Sequence, residues 1–173
     1  MQAPQEIDET PAKGESAMAL AQRLALEKAR AAYAVQDQSD FIVLGSDTVV
    51  VTGDAILGKP ENADDALQML ALLSNRSHRV CTGVSLVSGN RSASRLSVTE
   101  VSFREIELKE AQAYWETGEP QGKAGAYAIQ GLGAVFVEQI SGSYSGVMGL
   151  PLYETAQLLA EFGMPILSPS GAS

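Results

Sequence analysis

Four stretches of the chain repeat their apolar residues at about the period of an α-helix. Ser16 is a candidate N-cap for the first stretch, and Leu20 and Leu24 supply part of its apolar surface. Asn62 stands in the capping position of the second stretch, and Pro151 lies in the first turn of the fourth. The predicted helices cover residues 14–34, 62–74, 108–118 and 150–162.

Other stretches are rich in β-branched residues, either in continuous runs or in alternation with polar ones. Gly89 and Asn90 separate two of these stretches and suit a tight hairpin turn. Residues 53–60 show no period and are predicted to form a turn. The predicted strands cover residues 41–51, 78–88, 92–106 and 134–142. Because helices and strands interleave around an antiparallel hairpin, we predict an α/β fold, a mixed twisted sheet flanked by helices.

The length of 173 residues is enough for one domain with a real core, and 45% of the residues are hydrophobic. We expect a single domain over residues 1–165 and a flexible tail over residues 166–173. No apolar run reaches the length of a membrane span, and no secretory signal is recognised, so a cytoplasmic location is expected. The net charge of −9 and the lack of a Lys/Arg cluster argue against nucleic acid as a partner.

Cys81 and His78 are the only residues of their kinds in the sequence. A single cysteine excludes an intrachain disulfide and a four-cysteine zinc site, and we interpret Cys81 as a core residue. His78 begins a predicted strand, and the motif GSYSG places Tyr144 where a nucleophilic serine would stand. A Ser-His-Asp triad is therefore not expected.

Asp47 interrupts an apolar run in the sequence GSDTVVV. A buried carboxylate without a partner is costly, so an acid at this position needs a structural or chemical reason. It is either the cap of a turn at a strand end, or a base or metal ligand in a cleft. The acidic pair Asp8 and Glu9, in a predicted loop, is more typical of an exposed surface than of a metal site.

Residues 53–60, GDAILGKP, nearly match the phosphate loop that ends in Gly-Lys-Ser or Gly-Lys-Thr. Pro60 offers neither the hydroxyl nor a backbone N–H, so we reject a phosphate loop. Two interpretations of Lys59 remain: it contacts a phosphate, or it is a solvated lysine of a loop. Lys28 belongs to a charged helix face but lies one turn from Leu24, which places it near a buried boundary.

The segment GKAGAYAIQG, residues 122–131, has neither a helical nor a strand period and is rich in glycine and alanine. Small residues allow close approach to the backbone. What approaches this segment is left open by its residues alone.

Eight short motifs, taken in order, resemble those of the Maf family of nucleoside triphosphate pyrophosphatases. They extend over nearly the whole chain, and the ordered set is specific although each motif alone is weak. The motifs are IDETP, LALEKARA, GSDTVVV, ILGKP, VCTGVSLV, VSFREI, GEPQGKAGAYAIQGLGA and ISGSYSGVMGLPLYET.

The resemblance implies hydrolysis of a nucleoside triphosphate between its α and β phosphates, with a divalent cation, Mg²⁺ or Mn²⁺, as cofactor. Asp47 matches the family's proton acceptor. Glu9, Lys28 and Lys59 match its other polar site positions, and Glu9 and Asp47 are the implied metal ligands. A fold like that of inosine triphosphatase and a homodimer are implied in the same way.

Thr48 and Gln130 resemble the branch of the family that acts on dTTP and UTP. The branch that acts on 7-methyl-GTP usually has glutamate at the Gln130 position. The resemblance places residues 122–131 on the nucleotide cleft, where small residues would leave room for base and sugar. The Gln130 amide offers both a donor and an acceptor to a pyrimidine edge. Lys123 either adds positive potential there or is a lysine of the rim.

Proteins of the family begin with a strand and a Ser-x-Ser-Pro-Arg-Arg loop that serves phosphate binding, and neither is found in this sequence. We therefore expect an N-terminally truncated chain or a misassigned start. The alternative to a dTTP/UTP pyrophosphatase is a non-catalytic nucleotide-binding or cell-division regulatory protein.

Overall fold

The computed structural model describes residues 7–35 and 41–167, which form one sheet with helices packed against it. The strands are β1 (Val43–Thr52), β2 (Ala55–Leu57), β3 (Ser77–Ser88), β4 (Arg91–Phe103) and β5 (Val137–Ser141). The helices are α1 (Ala17–Ala34), α2 (Ala63–Leu73), α3 (Leu108–Glu116), α4 (Tyr144–Val147) and α5 (Leu152–Glu161). The strands lie in the order β2-β1-β3-β4-β5.

The four predicted helices and the predicted hairpin are confirmed. Oγ of Ser16 accepts a hydrogen bond from the backbone N–H of Ala19 at 3.2 Å, and Oδ1 of Asn62 accepts one from that of Asp65 at 3.0 Å. Both caps satisfy N–H groups that the first turn of a helix cannot pair. Gly89, with a φ of +56°, lies in the turn between β3 and β4.

Three short elements differ from the sequence prediction. Residues 53–60 contain β2, because the positive φ of Gly53 turns the chain back so that Val51 pairs with Ile56. The 3₁₀ segment Leu132–Phe136 takes up the start of the last predicted strand, and β5 begins only at Val137. Helix α4 has four residues, which is too short for a periodic signal.

The α/β class is confirmed, but the sheet differs from the mixed one we predicted. All four strand pairs are antiparallel, so no parallel pair occurs within the described ranges. Residues 168–173 of the predicted tail lie outside the described residues, and the tail and the domain bounds stay predictions. None of the helices in residues 7–35 and 41–167 combines the length and apolarity that a membrane crossing requires.

The alternation of side chains along β1 assigns its residues to the two faces of the sheet. Val49 and Val51 pack with Leu24 of α1 on one face, and Cys81 joins this cluster. Cys81 is 1% exposed, which confirms its place in the core. Val50 points to the opposite face and belongs to the larger cluster, which includes residues of α2, α3, β3 and β4.

His78 of β3 is a core residue, and it makes no hydrogen bond to a serine or cysteine within the described residues. Its Nε2 lies 2.9 Å from the hydroxyl of Tyr127, and its ring packs edge-on against Phe103. Burial lowers the pKa of His78 to about 4, from an ordinary value of about 6.5. The imidazole is therefore neutral in the folded protein at pH 7.

We expect the free energy of unfolding to fall as the pH drops from about 6.5 toward 4, because only the unfolded chain then binds a proton at His78. The contribution lost by pH 4.5 is about 2–3 kcal/mol. Urea unfolding of the wild type and of His78→Gln at pH 7 and pH 4.5 measures it. The carboxylates titrate in both proteins, so parallel pH profiles of the two would contradict this assignment.

Candidate active site

A cleft of about 500 Å³ opens at the outer edge of β1. The short strand β2 pairs only with Val50–Thr52 on this edge and does not cover the preceding residues of β1. Segments from residues 122–130 and 147–149 form the remaining walls. Among the lining residues are Lys28, Asp47, Thr48, Lys59, Lys123 and Gln130.

Four charged side chains form a continuous series of ion pairs at one side of this cleft. Nζ of Lys28 donates to Oε1 of Glu9 at 2.7 Å and also to Oδ1 of Asp47. Nζ of Lys59 donates to Oε2 of Glu9 at 3.1 Å. These four residues are the predicted catalytic set, and they come from four separate parts of the chain. Glu9 does not line the cleft itself, but it bonds to Lys28 and Lys59, which do.

The packing of α1 on β1 brings Lys28 and Asp47 together. Asp47 lies inside β1 rather than at a strand end, so a turn cap does not explain it. Lys28 follows the buried Leu24 by one helical turn. A Cβ at Gly45 would lie 2.3 Å from the carbonyl oxygen of Ala25, so the helix can approach this closely only because position 45 is glycine.

Asp8 and Glu9 have different roles, although both stand in the same loop. Oδ1 of Asp8 accepts a hydrogen bond from the backbone N–H of Thr10 at 2.9 Å, which shapes the loop. Glu9 is 42% exposed and still pairs with both Lys28 and Lys59. Both residues are exposed, as the interpretation of the pair as surface predicts, but only Glu9 also takes part in the ion pairs beside the cleft.

Burial and charge oppose each other in this group. Burial raises the pKa of Asp47 and outweighs the effect of the Lys28 ammonium beside it. Burial also acts to lower the pKa of Lys28, but its hydrogen bonds to Asp47 and Glu9 leave that pKa raised. The hydrogen bond from Lys28 lowers the pKa of Glu9. Asp47 is thus a stronger base than an ordinary aspartate, beside a lysine that stays charged.

Thr48 offers the cleft a hydrogen-bond acceptor and no donor. The hydroxyl of Thr82 donates to the carbonyl oxygen of Gly146 at 2.7 Å. A hydroxyl has one hydrogen, so in the 3.0 Å contact between the two threonine hydroxyls Thr48 must be the donor. Only the lone pairs of Thr48 then remain for a ligand.

The segment of residues 122–131 serves both the cleft and the core. Lys123 and Gln130 line the cleft, and the Gln130 side chain makes no hydrogen bond with other described residues. Gly125 and Ala126 are buried, and a Cβ at Gly125 would lie 3.0 Å from a methyl group of Val50. Space for a ligand therefore explains only part of this small-residue segment, and close packing against β1 explains the rest.

A divalent cation would have two carboxylates in this site. Within the described ranges, no three His, Cys, Asp or Glu side chains cluster in a way that could hold a metal ion. Glu9 and Asp47 are nevertheless bonded to the same ammonium group of Lys28. Mg²⁺ is usually held by one or two carboxylates, with waters and substrate phosphates completing its shell. The donors therefore fit a cation that binds together with a triphosphate.

The wall formed by residues 147–149 was not assigned to the cleft by any sequence signal. The Ser46 hydroxyl lies 2.6 Å from the carbonyl oxygen of Gly149 and 2.8 Å from that of Gly83. These contacts hold Met148 and Gly149 against the sheet at the cleft. Ser46 and Gly149 are 103 residues apart in the chain, so this contact could not be read from a local stretch.

Known proteins resemble this chain over most of its length. Residues 1–162 match the family described as "Maf-like protein". A relative from Alkalilimnicola ehrlichii, named dTTP/UTP pyrophosphatase, is 55% identical over 160 residues, which are 90% of this chain and 79% of the relative. Relatives of the same name from Pseudoalteromonas atlantica and Hahella chejuensis are 48% and 49% identical. They align with 92% and 94% of this chain, and with 84% and 82% of their own lengths.

Proposed function

This chain belongs to the Maf family, and from that premise we propose that it hydrolyses dTTP and UTP to the nucleoside monophosphate and pyrophosphate. The relatives described above are named for this activity. The observation that carries the proposal is the meeting of Asp47, Lys28, Lys59 and Glu9 beside one cleft. The volume of this cleft, about 500 Å³, lies in the usual range for small-molecule sites.

Asp47 is the group that we propose takes a proton from the attacking water. Hydrolysis of the α–β anhydride requires water to lose a proton as its oxygen bonds to phosphorus. Oδ1 of Asp47 is bonded to Lys28, so Oδ2 is the atom left to accept that proton. Burial raises the pKa of this carboxyl group, which strengthens it as a base, while Lys28 holds its orientation.

Lys28 and Lys59 line the cleft, and in this proposal their ammonium groups bind the phosphates. Such preorganised charge stabilises the negative charge that develops as pyrophosphate leaves. Glu9 positions both ammonium groups, and it would hold a divalent cation together with Asp47. When bound, that cation would offset the charge of the triphosphate and make coordinated water more acidic. Mg²⁺ or Mn²⁺ and a homodimeric assembly complete the proposal on the strength of the family resemblance, and a cytoplasmic location completes it on the sequence features described above.

The test is pyrophosphate release by the purified chain in Mg²⁺ or Mn²⁺, with dTTP, UTP, CTP and 7-methyl-GTP supplied in parallel. We expect dTTP and UTP to be the preferred substrates. Binding of UTP without any release would favour the non-catalytic nucleotide-binding alternative. A folded chain that neither binds nor hydrolyses any of the four would reject the proposal.

Gln130→Glu is expected to lower kcat/KM for dTTP and UTP by about 10–100-fold relative to 7-methyl-GTP. The Gln130 amide can donate to a carbonyl oxygen of uracil or thymine, whereas an ionised carboxylate only accepts and would repel that oxygen. A guanine edge offers neighbouring N–H donors, which suit a carboxylate. The same four-nucleotide profile measures the shift.

The matched control is Gln121→Glu, which makes the same charge change in an exposed residue outside the cleft. Its nucleotide profile should equal that of the wild type. An unchanged profile in Gln130→Glu would remove Gln130 from the specificity site.

A further inference from the structure

The turn that carries Gln130 is anchored to the core through its neighbour. Residues 128–131 form a turn in which the N–H of Gly131 donates to the carbonyl oxygen of Ala128 at 3.1 Å. Ile129, between them, is 6% exposed and packs in the larger core cluster. Gln130 follows Ile129 and lines the cleft. The backbone of this turn therefore sets where the Gln130 side chain starts.

Two side chains outside the cleft hold this turn from both ends, and we call Tyr114 and Glu119 the clamp. Before the turn, the hydroxyl of Tyr114 accepts the N–H of Ala128 at 3.1 Å. After the turn, Oε2 of Glu119 accepts the N–H of Leu132, and Oε1 accepts the N–H of Gly133, both at 2.9 Å. The Tyr114 hydroxyl also donates to Oε1 of Glu119 at 2.7 Å, which joins the two halves of the clamp.

The clamp fits closely against two glycines. A Cβ at Gly131 would lie 2.2 Å from Oε2 of Glu119, and a Cβ at Gly133 would lie 2.6 Å from the hydroxyl of Tyr114. No side chain other than hydrogen fits at either position without moving the clamp. Gly131 directly follows Gln130, so the Glu119 carboxylate lies against the backbone next to the residue that we propose contacts the base.

A carboxylate suits this position better than an amide does. Burial acts to raise the pKa of Glu119, but hydrogen bonds from Gly133, Tyr114 and Leu132 leave that pKa lowered. The ionised group accepts at both oxygens, so all three donors are satisfied. In glutamine, the NH₂ group would face one of the three N–H or O–H donors, and one hydrogen bond would become a repulsion.

We propose that Glu119, together with Tyr114, is a positioning residue for nucleotide specificity: it fixes the turn of residues 128–131 so that the Gln130 amide meets the base. This inference rests on the dTTP and UTP hydrolysis proposed above. The Gln130 side chain has no hydrogen bond of its own with other described residues. Its placement in the cleft therefore depends on the backbone that the clamp holds.

Glu119→Gln is the direct test, with the ratio of kcat/KM for dTTP to that for CTP as the readout. We expect this ratio to fall about tenfold, mainly through a higher KM for dTTP, because small displacements of positioning groups have effects of this order or larger. Glu116→Gln makes the same charge change on an exposed residue of α3 and should keep the wild-type ratio. A ratio in Glu119→Gln equal to that of Glu116→Gln would overturn the inference.

A double-mutant cycle separates positioning from a general loss of stability. If Glu119 acts through Gln130, Glu119→Gln should leave the ratio nearly unchanged once Gln130→Ala is already present. Fully additive effects of the two substitutions would overturn the inference. Tyr114→Phe keeps the ring packing and removes only the hydroxyl, so it replaces Glu119→Gln in the cycle if the latter does not fold.

The dissociation constants of dTTP and CTP, measured without the divalent cation, distinguish failure of this inference from failure of the proposed function. A chain that releases no pyrophosphate but loses its preference for dTTP binding in Glu119→Gln supports the clamp and rejects the activity. Normal pyrophosphate release with an unaltered binding preference in Glu119→Gln rejects the clamp and leaves the activity standing.

Discussion

Asp47→Asn is expected to lower the rate of pyrophosphate release by roughly 10²–10⁴-fold, the usual contribution of a positioned general base. Asparagine has nearly the same shape as aspartate and can still accept from Lys28, but it cannot take a proton from water. Lys28 also keeps its 2.7 Å hydrogen bond to Glu9. We therefore expect a large loss of turnover with little change in folding. Steady-state release with dTTP, together with urea unfolding, measures the two effects.

Asp54→Asn provides the control for that experiment. Asp54 is exposed in the turn between β1 and β2 and does not line the cleft. Its substitution removes the same charge as Asp47→Asn. It should keep the turnover of the wild type. Near-normal turnover in Asp47→Asn would reject Asp47 as the proton acceptor, even if the chain proves to be a pyrophosphatase.

Gly45→Ala is expected to destabilise the fold by about 3 kcal/mol, the upper end of the usual cost of overpacking a core. The new Cβ would lie 2.3 Å from the carbonyl oxygen of Ala25 and 2.7 Å from the backbone nitrogen of Ala29. Both contacts are with backbone atoms of α1, so no side chain can rotate away. The helix must move off β1, which also separates Lys28 from Asp47.

The urea concentration at the unfolding midpoint and the rate of pyrophosphate release should therefore both be lower in Gly45→Ala than in the wild type. Gly58→Ala is the matched control, because a Cβ at Gly58 would meet no atom within 4 Å and its φ is not in the left-handed region. Equal unfolding midpoints for the two variants would mean that the close approach of α1 to Gly45 does not limit stability.

Local chemistry explains which parts of the fold were predictable. The caps at Ser16 and Asn62 act on N–H groups three residues away, so their pattern is visible in a short stretch of sequence. The β3–β4 hairpin is equally local, with its turn at Gly89. The strand β2 and the helix α4 were missed because three and four residues are too few to show a period.

The charged residues proposed for the site could be chosen from the sequence, but the contacts between them could not. The cost of burying a carboxylate drew attention to Asp47, and the ordered motifs indicated Glu9, Lys28 and Lys59. Nothing local indicated that Glu9 would bond to both lysines, because these pairs lie 19 and 50 residues apart along the chain. Their meeting depends on how α1 and the β1–β2 hairpin pack.

Sequence by itself therefore determined the four longer helices, the main strands, the family and the charged candidates for the site, because periodicity, capping and ordered motifs are visible in short stretches. Tertiary structure decided the open edge of β1, the wall at residues 147–149 and the clamp of Tyr114 and Glu119. Each of these depends on hydrogen bonds or close backbone contacts between separate elements. Such contacts follow from the packing of the whole sheet, and no single stretch of residues encodes them.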